Sequence, residues 1–264
     1  MSIQKIWDDR AKASVGTKYK GVLFSRFPDV MNDYLHGWTT RLILDHITKP
    51  DGRILDVGCG YGRLSLGIRG KFPQAFIIGV DISPSYAKQY AELVPRAFSV
   101  VSDSVHLPFR GKLFDVVLEV FSLMYLPDKK RYEQALGEMF ASLCDRGSIL
   151  IIENNKVGTY LLNGLAFFSF RRHAGKENPQ KTKGLIFQYH EIEDMVRKQR
   201  GEVIRRTGMP VFTLLIPLTM LLSRVSERLL RAFLSFVHDL DEKLQCLSFL
   251  SLYHFYLVQA KREE

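Results

Sequence analysis

The chain is poor in cysteine, short of acidic side chains and without a long uninterrupted apolar run, and each shortage excludes a class of protein. Three cysteines in 264 residues, Cys59, Cys144 and Cys246, are an odd number without framework spacing. They argue against a secreted disulfide scaffold and for a reducing, cytoplasmic compartment. The most apolar stretch, Val211–Leu222, is interrupted by Pro217 and falls short of the roughly twenty residues that a membrane-spanning helix needs. Met1–Lys20 is polar and charged, so no signal peptide is expected. No His/Cys/Asp cluster has ligand spacing, and no metal is expected. Against 37 Lys and Arg stand only 28 Asp and Glu, a net charge of +9. That balance favours an anionic partner or surface without fixing a function.

What is present is an alternation of strand and helix patterns. Strands are expected at Arg53–Val57, Ala75–Val80, Phe98–Val101, Asp115–Glu119 and Ser148–Glu153, with helices over Gly62–Gly70, Ser83–Leu93 and Asp128–Leu143. Such alternation implies a doubly wound α/β fold, a mostly parallel sheet covered on both faces. Two helical patterns precede it, over residues 3–13 and Asp29–Ile47, with Trp7 and Trp38 read as core packing. A sixth strand at Glu202–Arg206 follows a helix, and a seventh runs over Ser251–Ala260. About forty residues separate them, far more than an ordinary loop.

The first strand ends in Asp56-Val57-Gly58-Cys59-Gly60-Tyr61-Gly62, and a helix follows. Glycine is required where backbone takes positive φ or closely approaches a ligand, and the helix start offers free N–H groups to the turn. A dinucleotide fingerprint needs its last glycine where Arg63 stands. The stretch instead resembles the acidic-x-G-x-G-x-G motif of class I S-adenosylmethionine (SAM)-dependent methyltransferases. The resemblance covers residues 50–155 and implies a seven-stranded fold, SAM as cofactor and S-adenosylhomocysteine (SAH) as product. It divides the chain into an N-terminal helical lid (1–50), a SAM-binding core (51–155) and a remainder of the same domain (156–264) with a helical insertion over about 208–250.

In such sheets ligands bind beyond the carboxyl ends of the strands. The resemblance implies that Asp56, Gly58, Cys59, Gly60 and Gly62 form the cofactor turn and that Asp81, followed by Ile82, holds the ribose hydroxyls. Asp103 or Ser104 would reach the adenine, and the Glu119 backbone would line the methionine end. Phe121, Tyr125, Tyr189 and His190 are the candidates for the acceptor pocket. A hydroxyl nucleophile benefits from a histidine base. His190 is the first candidate, with a plain helix-terminal role as its alternative, and His106 and His36 come next. The (N/D)-P-P-(Y/F) motif of amino-methylating enzymes is missing from Glu119–Ser122, which speaks against nucleic-acid amines.

The expected reaction is methyl transfer to oxygen or nitrogen of a small-molecule acceptor, lipid-linked or anionic. The alternatives are an RNA or protein methyltransferase and a non-catalytic SAM-binding protein. Over Leu222–Val237, Leu222, Val225, Leu229, Phe233 and Phe236 fall on one helical face, with Arg224, Arg228 and Arg231 opposite. Residues 211–237 therefore read as a helix packed on the domain or in a homodimer contact, or as one lying in a bilayer surface. A second basic run, Arg171-Arg172-His173 with Lys176, Lys181 and Lys183, lies beside apolar Leu161–Phe170.

Overall fold

The computed structural model describes residues 2–19, 22–23, 27–169 and 184–261, with the backbone alone for 165–169. Helices α1 (Ile3–Ala13) and α2 (Asp29–His46) come first. The alternating part follows as β1 (Arg53–Val57), α3 (Arg63–Lys71), β2 (Phe76–Asp81), α4 (Pro84–Leu93), β3 (Ala97–Val101), β4 (Phe114–Val120), α5 (Lys129–Ser142) and β5 (Leu143–Asn154). The remainder holds α6 (Lys156–Ser169), α7 (Tyr189–Lys198), β6 (Gly201–Gly208), α8 (Pro210–Leu222), α9 (Glu227–Lys243) and β7 (Tyr253–Ala260). The strands form one sheet in the order β3-β2-β1-β4-β5-β7-β6. Pairing is parallel from β3 to β5, and β7 runs antiparallel to both its neighbours. The expected doubly wound α/β architecture is therefore what the chain adopts.

Successive strand residues face opposite layers. Ile54, Val116, Leu118, Leu150 and Phe255 pack with α2, α3, α8 and α9. Leu55, Val117, Ile149, Ile151 and Val258 pack with α5 and α7. At roughly 1.5–3 kcal/mol per buried side chain, a one-residue slip would lose both layers at once, so the register is fixed.

Three expectations change. β5 begins at Leu143 rather than Ser148, because Leu143 already pairs with Phe114 before a register shift. Pro217 does not break its helix, and α8 runs through it. An interior proline costs about 3 kcal/mol, and burial of Phe212 and Ile216 on the same helix offsets that at about 1.5–3 kcal/mol each. The single amphipathic helix over 222–237 is instead a turn at 223–226 and then α9, capped by Ser226 Oγ, which accepts from Leu229 N at 3.4 Å. The inward face of α9 is Leu230, Leu234, Val237 and Asp241, not the face of Leu229 and Phe236. The basic run from Arg171 to Lys183, with Phe170, lies outside the described residues.

Candidate active site

The glycine turn leaves β1 with three left-handed residues, Gly58 at φ 70°, Gly60 at 55° and Gly62 at 91°. Each conformation costs an L-residue about 1–2 kcal/mol. A Cβ on Gly58 would sit 2.2 Å from the Ser122 Cβ, so the tips of β1 and β4 close only on glycine. Gly62 has another reason. Its Cβ would fall 2.3 Å from Val94 Cγ2, and the residue does not line the cleft. It lets α3 pack against the end of α4, a correction to its expected place beside the cofactor.

Beyond the strand tips lies a cleft of about 450 Å³. β1 and its turn contribute Asp56, Gly58, Cys59 and Gly60, and β2 contributes Asp81 and Ile82. Asp103 and Ser104 follow β3, and Phe121, Ser122 and Tyr125 follow β4. Four successive tips thus bring these expected residues to one cavity. Asp81 accepts from Gly60 N at 2.9 Å and Ser83 N at 2.8 Å. Burial outweighs those bonds and pushes its carboxyl up to about 6. Asp56 accepts from Ser65 Oγ at 2.7 Å, and burial likewise raises it to about 6. Asp103 is tied to its own loop, accepting from Val105 N at 3.2 Å.

Glu119 does not face the cleft. It is fully buried, and its Oε1 accepts from Ser122 N and Leu123 N at 2.9 Å and from Ser122 Oγ at 3.0 Å. Burial pushes it up to about 7. The neighbouring Glu153 is raised further, first by burial and then by Glu119 itself. Glu119 is a positioning residue that holds the turn carrying Phe121 (φ 58°) and Ser122, two residues that do line the cavity.

Sequence reasoning missed most of the remaining wall. Ile3, Trp7 and Arg10 of α1 line the cleft, so Trp7 belongs to the site, while Trp38 is buried in the core as expected. Trp7 meets Tyr125 edge-on at 4.7 Å, and Arg10 lies over the Trp7 ring at 4.9 Å. Asp8 fastens α1, accepting from Ser83 Oγ at 3.0 Å and Ser85 N at 2.9 Å. Lys12 and then Ser85 hold its carboxyl below the usual range. The one legible signal was the helical pattern placing Trp7 one turn from Ile3 and Arg10.

Arg63 is the least expected member. It lines the cleft at only 8% exposure and touches neutral partners, Thr39 Oγ1 at 3.2 Å and His36 Nδ1 at 2.8 Å. Burial pulls the guanidinium down to about 10. Burial first, and then Arg63, lowers His36 to about 4, so His36 is neutral at pH 7. Among the described residues no carboxylate forms an ion pair with Arg63.

Two of the acceptor-pocket candidates lie elsewhere. Tyr189 and His190 open α7, where both are exposed and off the cleft. The cause is local: Arg206 lies over the Tyr189 ring at 4.1 Å, and Gln188 N with Glu191 closes the helix cap at 2.8 Å. His106 is exposed on its loop. Among the described residues no histidine lines the cleft, and no group of three or more His, Cys, Asp or Glu could hold a metal.

Similarity to known proteins follows the same boundaries. Residues 54–147 match the family model described as a methyltransferase domain. The chain carries a class I SAM-dependent methyltransferase domain. It is 32% identical over 122 residues to demethylmenaquinone methyltransferase of Thermus thermophilus, covering 44% of this chain and 53% of that protein. It is 35% identical over 98 residues to malonyl-[acyl-carrier protein] O-methyltransferase of Geobacter sulfurreducens, covering 36% of each. The chain thus spans about half or less of these relatives' lengths. In fold it is similar to magnesium protoporphyrin IX methyltransferase from Synechocystis PCC 6803, solved with bound SAH, at TM-score 0.63 and 14% identity over 98% of both chains. The match to the methyltransferase domain ends before β5 does.

Proposed function

We propose that the protein transfers a methyl group from SAM to a small-molecule acceptor. The observation that carries this reading is the cleft itself, where Asp56, Asp81, Asp103 and two left-handed glycines converge beyond successive parallel strands. The two relatives are named for small or carrier-bound acceptors, which supports the acceptor class.

The residues fit the cofactor. Asp81 offers two acceptor oxygens to the ribose hydroxyls. Asp103 or Ser104 takes the adenine side, and Gly58 and Gly60 leave room for the ligand at the backbone. Arg63 answers a separate question. A buried guanidinium with no carboxylate in contact is costly; Asp56 acts on Arg63 only from a distance, and the carboxylate at the methionine end of SAM would complete the pair. SAM supplies a methyl on a sulfonium that is already a good leaving group, so the protein's work is alignment and exclusion of water. Phe121 and Tyr125 bound the acceptor end, and α1 with Trp7 shuts out solvent.

Incubation with methyl-labelled SAM and fractionated cell extract tests the proposal. Label in the lipid or metabolite fraction is the expected result. Label confined to RNA or protein would move the acceptor to those classes, and SAM binding without transfer to any fraction would leave a non-catalytic binder.

A further inference from the structure

Helix α8 contains no charged residue, yet it is not buried on all sides. Phe212, Thr213, Ile216 and Thr219 point inward. Leu214, Leu218 and Leu221, at i, i+4 and i+7, are 41%, 40% and 58% exposed. A helix apolar all round belongs in a core or in lipid, and this one shows a leucine stripe to the outside. The stripe does not end with the helix. Val225 in the following turn is 69% exposed, and Leu229 and Phe236 on α9 are 56% and 57% exposed. These are the residues that the inward face of α9 leaves out.

We infer that the outer face of α8 and the start of α9 docks on an anionic lipid bilayer. Charge selects that occupant. Arg224 and Arg228 are exposed beside Val225 and Leu229, and among the described residues neither is in an ion pair, whereas Arg231 is held by Glu227 at 2.8 Å and Asp33 at 3.3 Å. A second copy meeting the same face across a two-fold axis would set these cations against one another. The outward leucines line neither the cleft nor the groove between α2 and α9. Leucine and phenylalanine beside arginine suit the boundary between acyl chains and headgroups. Among the described residues no helix is long and apolar enough to cross a membrane, and the contact is superficial.

The face is joined to the cleft. Leu252 N donates to Thr213 Oγ1 of α8 at 2.7 Å. The next residue, Tyr253, packs its ring 4.6 Å from Phe121, which lines the acceptor end. Docking would hold that end near the bilayer. The docking itself stands whether or not the proposed reaction does.

The test is co-sedimentation of the full chain with phosphatidylcholine vesicles, with and without about three-tenths phosphatidylglycerol, together with calorimetric SAM titration. The expected result is binding to the anionic vesicles that weakens as salt rises. Arg224→Ala with Arg228→Ala should lower vesicle affinity roughly fivefold per arginine, and Leu218→Ser with Leu221→Ser should lower it further, with SAM affinity kept in both. No sedimentation with anionic vesicles, or variants that sediment like the wild type, would overturn the inference. So would a dimer in vesicle-free buffer that the leucine variants dissociate, since the face would then be a self-contact. A lost SAM affinity in the leucine pair would reflect misfolding, and the arginine pair, in an exposed turn and first helical turn, then decides.

Discussion

The strand tips of β1 to β4 and the connection between β6 and β7 put polar and apolar residues to opposite uses. At the tips, carboxylates are buried and aimed into a cavity, with Asp56 and Asp81 both raised to about 6 by lost solvation. In the connection, leucines are exposed on a helix that carries no charge. Each arrangement runs against the ordinary cost of burial. A region that keeps such a cost needs something from outside to relieve it, and the two regions call for different relief: a polar small molecule in one, an apolar surface in the other.

The sharpest way to break the comparison is at the glycines. Gly58→Ala places a Cβ 2.2 Å from Ser122 in left-handed backbone. We expect about 2–5 kcal/mol of lost stability, from backbone strain of about 1–2 plus overpacking of about 1–3, and loss of SAM binding in whatever folds. Gly62→Ala should cost about as much stability, yet leave SAM affinity nearly native in the folded fraction. Denaturant titration with calorimetry separates the two, and equal loss of affinity would return Gly62 to the cofactor site.

Next comes Asp81→Ala, expected to weaken SAM by about 1–3 kcal/mol through loss of a charged hydrogen-bond partner. Native affinity by calorimetry would remove Asp81 from the ribose site. A smaller and graded effect follows from pH. A carboxyl whose pKa is raised takes up a proton as pH falls through about 6, and a ligand that needs the anion must expel it. SAM affinity should therefore be flat above about pH 7 and fall below about 6, by up to tenfold per unit for each titrating group. Asp81→Asn should lower that slope by one, leaving the part due to Asp56; an unchanged slope would contradict the assignment.

The smallest effect belongs to the other region. Leu218→Ser removes an exposed side chain and should change stability by less than about 0.5 kcal/mol while reducing vesicle binding. A large stability loss would mean that the leucine is covered within the chain.

What could be read from residues alone divides along the same line. Asp56, Gly58, Gly60 and Asp81 were legible as lining of one cleft because they fill the positions of a family motif that sits at strand ends. Periodicity located all seven strands, with β5 misplaced at its start because a register shift leaves no mark in hydrophobic pattern. The inward face of α9 was not legible. Both of its flanks carry large apolar residues, and the phase of the helix is set by Ser226 and by packing on α8. Arg63 escaped notice because a basic residue at a helix start reads as solvated until burial is seen. Tyr189 and His190 were placed by likeness to a segment that related enzymes run past the acceptor, and Arg206, on β6, decides where Tyr189 lies.

Ser83 joins two jobs that turnover must separate. Its amide donates to Asp81 and its hydroxyl to Asp8, so one residue serves both the proposed nucleoside anchor and the clasp of the N-terminal helix. If the proposed function holds, a spent cofactor leaving past Ile3, Trp7 and Arg10 would loosen that clasp. Asp8→Asn, which weakens the contacts to Ser83 and Ser85, should then quicken product release in a stopped-flow chase while leaving the single-turnover rate of transfer unchanged.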